Sequence, residues 1–190
     1  MLDELLQGVE VRSLVGDGTV AVGRLEFDSR KVVPGTLFFA TRGTQADGHA
    51  YIPAAVAAGA AAVVCEELPA ERPVGVTFVQ VPDSTVALGQ VASAFYGHPS
   101  RRLKLVGVTG TNGKTTTATL LYRMFRRLGY KAGLISTVVY CVDEREIPST
   151  HTTPDSIRLN AMMAEMVEAG CDYCFMEVSS HSLVQHRTAG

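Results

Sequence analysis

The sequence predicts an α/β protein built from two units in which strands alternate with helices. Three observations carry that expectation. Short apolar runs such as 60–65, 76–81 and 103–108 are separated by longer segments with helical periodicity. A polar stretch, Gly97-His98-Pro99-Ser100-Arg101-Arg102, divides the chain near its middle. A strand, a glycine-bearing loop and a helix follow one another directly after that division. The chain has 190 residues, of which 46% are hydrophobic and 19% charged, so it can bury a core and is not of a disordered composition.

The elements are expected in this order. Residues 37–40 form a short apolar run, and 49–58 read as a helix closed by Gly59. Strands follow at 60–65 and 76–81. Asp83 caps a helix running to about Tyr96, with Val86, Leu88, Val91, Ala92 and Phe95 on one face. A domain boundary at 98/99 gives a first domain over 1–98 and the first part of a second over 99–190. In the second, 103–108 is a strand and 114–128 a helix with Leu120, Leu121, Met124, Phe125 and Leu128 on one side. A strand lies within 132–142. Thr153-Pro154-Asp155 opens a helix, with Thr153 as its cap, that runs past Met162, Met163 and Met166 to Gly170. Those methionines are core packing at helical spacing. Residues 172–178 form the next strand. βαβ units imply a mostly parallel sheet. Three strands are few for a nucleotide-binding sheet, so the second domain is expected to be truncated.

Charge and hydropathy exclude several functions. The formal net charge of −2 gives no basic footprint for nucleic acid. The longest low-polarity run, 54–65, is too short to span a bilayer, and the acidic start Met1-Leu2-Asp3-Glu4 is unlike a secretory signal. A cytoplasmic protein is expected. Cys171 and Cys174 make a C-x-x-C, but Cys65 and Cys141 are isolated, and Cys174 falls inside an apolar strand. Buried, reduced thiols fit that pattern better than a zinc or redox site.

The chemistry concentrates at Val106-Gly107-Val108-Thr109-Gly110-Thr111-Asn112-Gly113-Lys114-Thr115-Thr116. Glycines let backbone N–H groups approach phosphate oxygens, and the helix N-terminus adds a positive field. Lys114 can reach the β- and γ-phosphates, and the Thr115 hydroxyl can ligate Mg²⁺. Val108 stands where the usual G-x-x-x-x-G-K-[ST] pattern has glycine. Glu177 ends the strand 172–178, where open α/β sheets bind ligands, and a carboxylate there suits Mg²⁺ beside phosphates. His181, Gln185, His186 and Arg187 follow in a polar stretch. Thr152 and Thr153 sit at the mouth of the next helix and can hydrogen bond to a polar substrate.

With these residues in view, the chain resembles the Mur ligases. Their phosphate loop departs from the usual pattern as Gly110–Thr116 does. Thr152-Thr153-Pro154 and the run Glu177-Val178-Ser179-Ser180-His181-Ser182-Leu183-Val184-Gln185-His186-Arg187 look like the branch that adds the third residue of the peptide. Asp28-Ser29-Arg30, Pro34-Gly35-Thr36-Leu37-Phe38 and Gln45-Ala46-Asp47-Gly48-His49 are similar to the UDP-binding domain of that branch. The resemblance implies a UDP-binding α/β domain followed by a P-loop ATPase domain. It implies an ATP- and Mg²⁺-dependent ligase that phosphorylates the D-glutamyl carboxylate of UDP-N-acetylmuramoyl-L-Ala-D-Glu and lets the amine of a diamino acid attack the acyl phosphate. By the same resemblance, Gly110, Thr111, Asn112, Gly113, Lys114, Thr115 and Thr116 hold ATP, and Thr115 and Glu177 ligate Mg²⁺. Phe27, Ser29, Thr44, Gln45 and Ala46 line the uridine-diphosphate pocket. Thr152, Thr153, Ser179, Gln185 and Arg187 contact the muramyl-peptide. Lys114, Thr115 and Glu177 are then the catalytic residues, in a monomer with no nucleic-acid or membrane partner.

The family's further Mg²⁺-binding histidine, its carbamylated lysine and its C-terminal domain are expected beyond Gly190, so ligase turnover is expected to need more than these residues. Competing readings are another Mur-type or folylpolyglutamate-type ligase, a non-catalytic nucleotide-binding module, and a GTPase switch. The last would need a guanine-reading motif further on.

Overall fold

The computed structural model describes residues 1–43, 46–149 and 151–190, and the chain divides into two compact units between Ala94 and Phe95. The first begins with the short helix α1 (Leu2–Leu5) and strands β1 (Ser13–Val15) and β2 (Arg24–Glu26). Next come β3 (Thr36–Phe39), α2 (Ile52–Ala57), β4 (Ala60–Cys65), β5 (Thr77–Gln80) and α3 (Ser84–Phe95). Its sheet has the order β1-β5-β4-β3-β2; the last four strands are parallel and β1 is antiparallel to β5.

The apolar runs become the inner strands because both their faces are covered: Leu37, Phe38, Phe39, Val63 and Val64 are all fully buried. Asp83 caps α3 as expected, accepting from the N–H of Thr85 and Val86 at 2.8 and 2.9 Å. The helix expected over 49–58 is split into a 3-10 turn, Gly48–Tyr51, and α2. The Asp47 carboxylate accepts from His49 N–H and tightens that first turn. β1 and β2 were not expected; three residues each are too few to display a period.

The second unit contains β6 (Lys104–Val108), α4 (Lys114–Arg127), β7 (Ala132–Ile135), β8 (Val139–Val142), β9 (Arg145–Pro148), α5 (Ser156–Glu168), β10 (Tyr173–Glu177) and α6 (Ser180–Val184). The order is β6-β10-β7-β8-β9, so five strands replace the expected three. β6, β10 and β7 are parallel; β8 and β9 fold back antiparallel. The stretch 132–142 is therefore two strands rather than one. Ser136 makes the reversal: its hydroxyl donates to the Val139 carbonyl at 2.8 Å and accepts from the N–H of Val138 and Val139.

Met162, Met163 and Met166 pack in the core with Tyr140, Ile135 and Cys174, as their spacing predicts. The broad apolar side expected of α4 is divided. Leu121 and Phe125 pack toward the sheet beside Phe175, whereas Leu120, Met124 and Leu128 are exposed. Asp155, not Thr153, caps α5, accepting from Arg158 N–H at 2.9 Å. The helix starts at Ser156, which leaves Thr153 too far upstream to cap it and frees its hydroxyl for another task. No helix among the described residues is long and apolar enough to cross a membrane.

Candidate functional site

The site grows from the carboxyl ends of the three parallel strands of the second unit. β6 and β10 are in register, with Val108 opposite Glu177, and β7 lies on the other side of β10. Whatever follows each strand therefore emerges at one edge of the sheet.

After β6 comes the phosphate loop. Gly110 has φ 144° and Gly113 φ 81°, conformations that a side chain disfavours. Gly113 is also the N-cap of α4 and offers no side-chain cap. The first amides of α4 are thus left for an external acceptor, at the positive end of a 14-residue helix. Lys114 lies back over the loop. Its ammonium donates to the Gly110 carbonyl at 2.7 Å and approaches that of Thr111 at 3.4 Å. Thr111, Asn112 and Thr116 are exposed.

Glu177, the last residue of β10, is 1% exposed. It is held by three donations. Thr115 Oγ1 reaches Oε2 at 2.9 Å, Thr137 N reaches Oε1 at 2.8 Å, and Thr137 Oγ1 reaches Oε2 at 3.1 Å. A carboxylate left without such partners at this depth would be strongly unfavourable. The two oxygens expected to bind Mg²⁺ are thus brought together. The pair fits that ion: both donors are hard oxygens, and neighbouring ligands of an octahedral Mg²⁺ stand roughly 2.9 Å apart. Among the described residues there is no group of three or more His, Cys, Asp or Glu side chains that could hold a metal. Thr137 carried no motif. Its only signal was its place just after an apolar strand.

The residues expected on the substrate side lie in the same network. Thr152 Oγ1 is 3.0 Å from Thr137 Oγ1. Thr153, 1% exposed, donates to the Glu177 carbonyl at 2.9 Å and accepts from Ser179 N–H at 3.2 Å. Its own carbonyl accepts from Arg187 Nη1 at 2.7 Å, and Arg187 Nε donates to Gln185 Oε1 at 2.9 Å. Ser179 Oγ caps α6 through Ser182 N–H at 3.1 Å. The loop before Thr152 is pinned by Tyr140, whose hydroxyl donates to the His151 carbonyl and accepts from its N–H at 3.1 Å.

In the first unit, Phe27 and Ser29 follow β2, and Ala46 follows its parallel neighbour β3, so these residues too emerge at the carboxyl edge of their own sheet. Phe27 is 40% exposed. Asp28 caps the 3-10 turn Ser29–Lys31 and binds Arg30 through two hydrogen bonds of 2.8 Å; Arg30 holds its carboxyl down to about 2. The Ala46 carbonyl accepts from Gly43 N–H at 3.0 Å. Thr44 and Gln45 lie outside the described residues. Arg42, before them, pairs with Asp47 at 3.7 Å, Glu66 at 3.1 Å and Glu67. His49 Nε2 accepts from the N–H of Glu66 and Glu67 at 2.9 and 3.3 Å.

The C-x-x-C is buried as expected. Burial pushes the Cys174 thiol up to about 12 and raises Cys171 as well, the opposite of an activated thiolate.

The chain is similar to known proteins over nearly its whole length. Residues 22–96 match the profile described as "Mur ligase family, catalytic domain", and residues 108–190 match "Mur ligase middle domain". The chain is 53% identical over 190 residues to the UDP-N-acetylmuramoyl-L-alanyl-D-glutamate–2,6-diaminopimelate ligase of Bacteroides thetaiotaomicron, covering 100% of this chain and 39% of that protein. It is 56% identical over 189 residues to the ligase of the same name from Bacteroides fragilis, with the same coverage. A solved structure titled as a ligase of that name superposes with a TM-score of 0.73 at 26% identity, covering 89% of this chain and 34% of that one. The chain thus spans about two fifths of the length of the curated relatives it matches.

Proposed function

Since the chain belongs to the Mur ligase family, we propose that it supplies the UDP-muramyl and nucleotide sites of an ATP-dependent ligase that joins a diamino acid to UDP-N-acetylmuramoyl-L-Ala-D-Glu. The relatives named for 2,6-diaminopimelate support that diamino acid as the incoming amine. The observation that carries the reading is the buried Glu177, which joins Thr115 of the phosphate loop to the Thr137–Thr152 side of the same edge.

The residues divide the work. The glycine loop and the uncapped start of α4 bind the phosphates of ATP, and Lys114 sets positive charge where phosphoryl transfer develops negative charge. Thr115 and Glu177 would hold Mg²⁺, which supplies charge neutralisation across those phosphates. Thr152, Thr153, Ser179, Gln185 and Arg187 orient the muramyl-peptide, with the Arg187 guanidinium suited to a carboxylate. Phe27, Ser29, Thr44, Gln45 and Ala46 receive the uridine diphosphate. A carboxylate is a poor electrophile; once phosphorylated it has a leaving group, and attack by the amine expels phosphate. The work takes place in the cytoplasm, where the UDP-linked substrate and ATP are available.

Calorimetry tests the substrate half directly. UDP-N-acetylmuramoyl-L-Ala-D-Glu is expected to bind more tightly than UDP-glucose, and Ser29→Ala or Arg187→Ala is expected to remove the preference. Equal affinity for the two ligands would send the assignment to another ligase of the family. In the full-length gene product, ADP release that depends on both the UDP-muramyl dipeptide and diaminopimelate checks the reaction. ADP release unaffected by diaminopimelate would overturn it.

A further inference from the structure

Thr137 was singled out by no motif, yet it gives two of the three hydrogen bonds that the Glu177 carboxylate accepts among the described residues. Its backbone N–H holds Oε1 at 2.8 Å and its hydroxyl lies 3.1 Å from Oε2. The same hydroxyl lies 3.0 Å from Thr152 Oγ1. A hydroxyl carries one proton and accepts through its lone pairs, whereas a carboxylate only accepts. The assignment of protons follows. Thr137 donates to Glu177, and Thr152 donates to Thr137. The chain of hydroxyls has one direction, Thr152 to Thr137 to Glu177.

The two oxygens of Glu177 offer about four lone-pair positions, and Thr137 and Thr115 use three of them. Two come from Thr137, one at each oxygen, which fixes the plane of the carboxylate as a single bond could not. The remaining lone pair is on Oε1, the oxygen held by the Thr137 N–H. A ligating carboxylate is ordinarily oriented by hydrogen bonds of this kind, and loss of such a partner commonly costs 10–100-fold in metal affinity.

We propose that Thr137 is the positioning residue that sets Glu177 for a divalent cation, and that its hydroxyl couples this carboxylate to Thr152 on the substrate side. The proposal rests on the nucleotide reading of the phosphate loop. It makes a cation bound with nucleotide and a muramyl-peptide bound at Thr152 sensitive to one another, because a ligand that turns the Thr152 hydroxyl changes the donor that orients Thr137. Such coupling is reciprocal in binding free energy.

The test uses Mn²⁺ as probe in the full-length gene product, titrated with ADP present and followed by the electron paramagnetic resonance of the free ion. Thr137→Val keeps the branched shape and the backbone N–H and removes only the hydroxyl. It is expected to raise the Mn²⁺ concentration for half-saturation about 10-fold, with Thr137→Ser restoring it. The UDP-muramyl dipeptide is expected to shift the Mn²⁺ midpoint in the parent and in Thr137→Ser, and not in Thr137→Val. Thermal melting of each variant identifies a merely structural loss, which would lower the melting temperature without rescue by serine. Thr152→Val offers a second route to the same coupling should valine at 137 perturb folding. Equal Mn²⁺ midpoints in parent and Thr137→Val would overturn the positioning role and leave the nucleotide site standing. Absence of ADP-dependent Mn²⁺ binding in the parent itself would overturn the nucleotide reading and this proposal with it.

Discussion

The carboxyl edges of the two sheets are built on opposite principles. In the first unit the loops after β3 and β4 are tied by charge at the surface. Arg42 faces Asp47, Glu66 and Glu67 with nearly half its side chain exposed, and Asp28 grips an Arg30 that is 86% exposed. In the second unit the loops after β6, β7 and β10 meet on one buried carboxylate, held by hydroxyls and an amide. Exposed pairs contribute at most about 1 kcal/mol each and weaken with salt. A buried acceptor with several donors is costly to break, since each orphaned donor has lost water as well as partner. The first edge is adjustable; the second holds its geometry in advance, which suits the phosphate site proposed there.

The sharpest way to break this contrast is Glu177→Ala. It orphans Thr137 N–H and two hydroxyls, and is expected to destabilise the second unit by about 2–3 kcal/mol in urea unfolding. A loss below 0.5 kcal/mol, on the order of a surface change, would mean the carboxylate does not organise that edge. Lys114→Met comes next. Loss of a charge-assisted contact to phosphate is expected to weaken Mg-ATP binding by roughly 30–100-fold, about 2–3 kcal/mol, in calorimetry. Unchanged affinity would remove the loop from the nucleotide site.

Arg42→Gln should change stability by less than about 1 kcal/mol, and by still less in 1 M salt. A large, salt-independent loss would show the first edge to be as firmly built as the second. The smallest effect concerns Asp28. Its folded carboxyl titrates at about 2, against an ordinary value of 3.8. A depressed acid stabilises the fold above the unfolded value, so its contribution is complete above about pH 4 and is lost as pH falls through 2. Carboxyl chemical shifts should report that midpoint, and Arg30→Ala should return it toward the ordinary range.

How far the sequence disclosed these features depended on how local each one is. The loop Gly110–Thr116 and the cap at Asp83 were legible because their chemistry is contiguous: glycine conformation, helix start and lysine fall within a few residues. The methionines of α5 were legible from period alone. Thr137 was not, because its partner Glu177 is 40 residues away and only the register of β7 on β10 joins them. Thr153 misled for the same reason. Local pattern made it a cap, while its hydroxyl bonds to the Glu177 carbonyl across the chain. The hairpin of β7 and β8 was hidden in an apolar run whose reversal depends on the hydroxyl of Ser136, a weaker turn former than Asn or Asp.

The posture of Lys114 has a mechanical consequence. An ammonium has three N–H bonds in a tetrahedral fan, and here one is committed to Gly110 and a second leans toward Thr111. The lysine is therefore a strut that braces the curve of its own loop, with one arm still available to a phosphate. Arginine would carry the same charge, but its donors are fixed in one plane on a longer side chain, whereas those of the ammonium fan out tetrahedrally over the loop. Lys114→Arg should therefore slacken the loop, seen as faster amide exchange from Gly110 to Gly113, although no charge has been lost.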